Sequence, residues 1–147
     1  MRLTICLLVT VLGLAGGWAA GAPSAGDETR AEPYADAKAV LEPFAGALET
    51  FVARMEEAAT AAAVAAAVNA LADEMARLIP ELNAIRAKYP ELADERTHPE
   101  ELKPLLARID KDFQSLMKAY HKVGEYREDP AVQAADARYR EVMSGLK

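Results

Sequence analysis

Apolar residues recur along this chain in four successive segments, always three or four positions apart and in strict alternation. The first run is Ala37, Leu41, Phe44, Leu48, Phe51, Met55 and Ala58, and the second is Val64, Val68, Leu71, Met75, Leu78, Leu82, Ile85 and Tyr89. The third is Leu102, Leu106, Ile109, Phe113, Leu116, Tyr120 and Val123, and the fourth is Val132, Ala135, Tyr139, Val142 and Leu146. A helix turns once in about 3.6 residues, so this spacing keeps one stripe of each segment facing a partner along its whole length. Val40, Val52, Ile79, Leu105 and Met117 lie beside the seams and widen them to what a bundle core requires. Alanine, leucine, glutamate, lysine and arginine dominate these segments, and all are strong helix formers. The spacing predicts an all-α protein, an antiparallel up-down-up-down four-helix bundle over residues 34–147.

The breaks between stripes predict the helix ends. Thr60 is placed to cap the second helix, and Asp129 followed by Pro130 forms a cap and first-turn pair for the fourth. Thr97 with Glu100 reads as a capping box for the third helix, with Pro99 in its first turn. Glu100 and Glu101 near that start, and Lys118 and Lys122 near the end, complement the helix dipole. Pro80 and Pro104 fall opposite the seam, where a freed carbonyl faces water. Pro43 falls beside the seam and either sits within the first helix or splits off a short lead-in helix.

Ahead of the stripes, residues 1–19 have the composition of an export signal. Arg2 supplies the positive start, Leu3 to Leu14 the apolar stretch, and the Gly/Ala-rich segment after it a cleavage site. Gly17 and Ala19 satisfy the small-residue rule, with Ala19 and Gly21 as the second choice. An uncleaved N-terminal anchor is the competing reading, since Leu3 to Ala20 approaches the roughly 20 residues needed to cross a bilayer. Cys6 follows Ile5 inside the apolar run, which is not the place of a lipidated cysteine. Residues 20–33 are small and polar and read as a flexible leader. The expected product is periplasmic or secreted, has no stable membrane insertion and no cysteine, and relies on core burial without disulfides.

The whole chain carries a formal charge of −6, and loss of Arg2 with the signal makes the exported part more acidic still. That balance argues against nucleic acid, whose binding rests on neutralising phosphates. No convergent chemical group stands out. Ser24, Ser115 and Ser144 lack nucleophile-elbow surroundings, and the carboxylates at 125–128 and 136–141 sit beside arginines as on a solvated helix face. His98, in the turn before the third helix, and His121, next to seam residue Tyr120, read as exposed imidazoles. Neither belongs to a His-x-x-x-His or Glu-x-x-His pair. The reading assigns no catalytic, cofactor-binding or metal-binding residue and expects no enzyme. The alanine-rich run from Ala58 to Ala67 has two readings: a close-approach surface for self-association, or small residues making room for Phe51, Met55, Tyr120, Val123 and Tyr126. The second is favoured.

The segments LETFVARM, EEAATAAA, HPEELKPLL and QAADARYRE, spread over residues 44–143, give a layout that resembles the soluble periplasmic b-type cytochromes of four-helix type. That resemblance implies the bundle fold and a haem held by a methionine early in the first helix and a histidine late in the last. Here Phe44 and Leu48 occupy the early region, Met55 lies about two turns further on, and the last helix offers Met143 and no histidine. The layout is similar also to small exported bacterial helical-bundle proteins. The function expected from these observations is a structural or protein-interaction role. A small-ligand, haem or metal carrier in the bundle interior is the alternative.

Overall fold

A computed structural model describes residues 34–146, and the signal and leader assigned to residues 1–33 lie outside them. The described chain is helical, with four α-helices and no strand. These are α1 (Ala35–Glu57), α2 (Ala61–Lys88), α3 (Lys103–Glu125) and α4 (Pro130–Met143), and two short 3₁₀ turns, Pro90–Ala93 and Glu95–Thr97, connect α2 to α3. None of these helices is long and apolar enough to cross a membrane.

Several ends follow the local chemistry expected of them. Thr60 Oγ1 accepts from the Ala63 N–H at 3.2 Å, and the Asp129 carboxylate accepts from the N–H groups of Ala131 and Val132, with Pro130 opening the helix. Pro43 lies inside an uninterrupted α1 and is exposed, so it splits nothing. The start of α3 departs from the expected capping box. The helix begins at Lys103 with no side-chain cap, and Pro104 stands in its first turn, where a missing N–H costs nothing. Thr97 instead closes the preceding turn, donating its hydroxyl to the carbonyls of Glu91 and Asp94 at 2.8 and 2.9 Å.

The helices pair in the order α3, α1, α2, α4. A three-residue connection joins α1 and α2 at one end. At the other, Asp36 holds Lys88 at 2.5 Å and accepts from the Tyr89 hydroxyl at 2.7 Å, so the two helices run antiparallel. The ring of Tyr34, a residue in the left-handed conformation at φ 62°, lies 5.0 Å from that of Tyr89. Along α1, the start of α3 packs on Ala37, Val40 and Leu41, while Lys122 near its end donates to the Met55 carbonyl at 2.7 Å. Along α2, Arg138 of α4 grips Asp73, and Asn83 donates to the Gly145 carbonyl at 2.9 Å.

Two apolar clusters result. The larger joins Phe51, Met55, Val68, Met75 and Leu78 with Leu116, Val123, Val132 and Ala135. The smaller unites Ala37, Val40, Leu41, Ile85 and Leu102. The division follows from helix length: α4 has 14 residues against 28 in α2, so its roughly 21 Å cannot cover α2 to the end. Leu102 and Leu92 close the part it leaves open. Part of the alanine-rich run is core, since Ala58, Val64, Ala65 and Ala67 are buried. Their small side chains admit Phe51 and Met55, with Tyr120 and Tyr126 against the rim.

One seam does not close. Phe113 is 36% exposed and Met117 59% exposed, although their spacing matches that of buried residues. At this level α3 rests on α1 alone. Its contact with α4 is confined to the region of Tyr120, near the connection between them. A seam residue needs a second wall to be buried, and here α3 has one.

Candidate functional site

Polar groups concentrate at two places on α3. Near its C-terminal end, the Tyr120 ring lies between Phe51 and Tyr139, with centroids 6.1 and 5.7 Å away. Its hydroxyl donates to Asp136, whose other oxygen accepts from Arg140 at 2.7 Å. Burial, reinforced by the Asp136 carboxylate, pushes the Tyr120 phenol well above its ordinary range, and burial also raises the Tyr139 phenol. A phenol held protonated in this way is a hydrogen-bond donor, not a base, and the trio works as a latch between α3 and α4. Beside it opens a depression of about 550 Å³ lined by Tyr120, His121, Gly124, Arg127, Asp136 and Arg140.

The second place is the α1–α3 seam. Arg108 of α3 makes a two-pronged contact with Glu49 of α1 at 2.8 and 2.7 Å, and its Nε lies 3.8 Å from Asp112 Oδ2. The Asp112 side chain is 13% exposed, and its buried Oδ2 has no hydrogen-bond partner among the described residues. Burial, then the neighbouring Glu49 charge, raises the Asp112 carboxyl. Glu49 is lowered, chiefly by its hydrogen bonds to Arg108. A proton would therefore reside on Asp112 before Glu49. Neither carboxylate lines the depression beside Tyr120 or the one over the α1–α2 approach. The second of those depressions, about 500 Å³, runs over the small residues Gly46, Ala47, Ala67 and Ala70 where α1 and α2 approach, rimmed by Arg54 and Arg77.

The residues weighed in the sequence fall into structural settings. His98 is half-buried rather than exposed, and its ring nitrogen lies 3.2 Å from the Leu92 carbonyl, tying the 3₁₀ turns together. His121 is exposed, 3.7 Å from Glu125. The Ser115 and Ser144 hydroxyls donate back to the carbonyls of Lys111 and Glu141, and Ser24 lies outside the described residues. Among the described residues no three His, Cys, Asp or Glu side chains are grouped to hold a metal ion. Haem does not fit the residues at the corresponding positions. Leu48 and Met55 are packed in the larger cluster with Phe51, Met75 and Leu78, and α4 carries no histidine.

The role of Lys122 escaped sequence reasoning. It looked like a cation at the end of its own helix, yet it also reaches the last carbonyls of α1, those of Met55 and Glu56. Only the docking of α3 beside α1 puts that helix end within reach. Compared with protein-family models, with curated proteins and with solved structures, the chain finds no match in any of the three.

Proposed function

We propose that this chain is an exported, non-enzymatic protein, an up-down-up-down four-helix bundle following a signal peptide at residues 1–19 and a leader at 20–33. In this reading it acts by contacting another protein, and α3 carries the contact. The supporting observation is the exposure of Phe113 and Met117 side by side on one helix face, at positions whose spacing is that of core residues. Scattered apolar residues on a surface are ordinary, but an aromatic and a methionine one turn apart form a patch of the kind partners cover. Buried seams and polar latches account for the other groups considered above.

The test is cross-linking of the tagged chain in its own extracytoplasmic fraction, comparing the natural chain with Phe113→Asp and Met117→Asp. Loss of a discrete cross-linked species in both variants, with unchanged helical circular dichroism, is the expected result. A species that survives both substitutions refutes the assignment to α3. The competing reading, an interior carrier of haem, metal or a small ligand, draws support from the resemblance to periplasmic b-type cytochromes. A Soret band or stoichiometric metal in protein purified from its native compartment would put that reading first.

A further inference from the structure

We infer that the partner of the α3 face is a second copy of this chain, bound with the two α3 helices antiparallel across a two-fold axis. The inference rests on the reading above that α3 carries a protein contact, and it names the occupant. Leu106, Asp110, Phe113, Met117, His121 and Gly124 follow one another along α3 at three- and four-residue steps, so they share one face. In an antiparallel pair centred level with Ser115, Phe113 meets the partner's Met117 and Leu106 meets the partner's Gly124. Large residues thus fall opposite flexible or small ones. Space exists for this, because a Cβ placed on Gly124 would meet nothing within 4 Å, and Gly124 borders the 550 Å³ depression.

Charge makes the same choice. In an antiparallel pair related by a two-fold axis, the solvent-side flank of one helix meets the same flank of the other. That flank carries Lys103 near one end of α3 and Glu125 near the other, with Asp110, Lys118 and His121 at intermediate positions. The antiparallel register leaves Lys103 two positions along from the level of the partner's Glu125, within reach of its long side chain, and Asp110 one position from the level of the partner's His121, twice each by symmetry. In the free chain these groups are held in local pairs, Lys103 with Glu100, His121 with Glu125, and Asp110 accepting from Gln114 at 3.0 Å. A single helix face is at the small end of interfaces, so the dimer should form and dissociate with concentration.

The test is light scattering and sedimentation of the exported chain over a wide concentration range. A mass that doubles as concentration rises is expected. Lys103→Glu and Glu125→Lys should each weaken the dimer, by about tenfold, since two repulsive pairs replace two attractive ones. The double swap, or an equimolar mixture of the two single variants, should restore it. Gln114→Cys in a Cys6→Ser background should form a disulfide-linked dimer, because that position is nearly level with the axis. A dimer indifferent to the swaps, and no disulfide, overturn this register. A concentration-independent monomer overturns the second copy as occupant. If Phe113→Asp then still abolishes cross-linking to a different protein, the α3 contact stands and the self-partner alone falls. If it changes nothing, both fall.

Discussion

Phe51 and Phe113 both occupy seam positions in their helices, and substituting each by alanine separates pattern from packing. Phe51 is 1% exposed within the larger cluster, against the Tyr120 ring. Its truncation removes a full aromatic transfer term and leaves a void that surrounding helices cannot fill, about 3–5 kcal/mol. Phe113 is 36% exposed. Roughly two-thirds of a buried aromatic's transfer energy, about 1–2 kcal/mol, is available to lose. A cavity term does not add, because the gap opens to water. The net stability of a domain this size is about 5–15 kcal/mol, so Phe51→Ala should leave a marginal fold and Phe113→Ala a sound one. Urea titration followed by helical circular dichroism reads both midpoints. It should be run at low protein concentration, so that self-association through α3 does not add stability to the natural chain alone. Equal losses, each above about 3 kcal/mol, would mean that α3 has a second wall in solution and that its seam is closed. That result would refute the exposed face and the proposals built on it.

Asp112→Asn should raise stability at neutral pH. The folded carboxyl is raised above its unfolded range, so the natural chain loses stability as pH climbs from that range through the folded one, and the asparagine variant does not. Urea midpoints at acid and neutral pH check the sign, which is wrong if the two chains keep parallel profiles. Asp36 behaves oppositely, because its hydrogen bonds to Lys88 and Tyr89 hold its carboxyl down to about 2. Its stabilisation is present above the ordinary carboxylate range and fades as pH falls through about 2, and Asp36→Asn should abolish that window, seen as faster amide exchange at the first turn of α1. Asp129→Ala removes the acceptor for two helix N–H groups and should cost about 1 kcal/mol, with Ala131 and Val132 amides losing protection first.

Much of the fold was legible in the residues because helices are local objects. The caps at Thr60 and Asp129 each depend on groups within three positions, and both were readable. The misplaced start of α3 has a local cause as well. The Thr97 hydroxyl had nearer carbonyls to serve, at Glu91 and Asp94, and a 3₁₀ turn satisfies them without a capping box. Phe113 departs from its spacing for a different reason. A periodic stripe specifies which side of a helix is apolar, but not how many neighbours will stand beside it.

The sequence by itself determined four amphipathic helices, their apolar faces and the small-residue segment that makes room for Phe51 and Met55. Side-chain period and short-range hydrogen bonding suffice for these. Tertiary structure alone decided that α3 lies on α1 and α4 on α2, that Lys122 closes the end of α1, and that Asp112 faces Arg108 and Glu49. It also decided that Phe113 and Met117 face water. These outcomes depend on relative helix length and on which helix supplies the second wall, quantities that arise only when helices distant in sequence pack together.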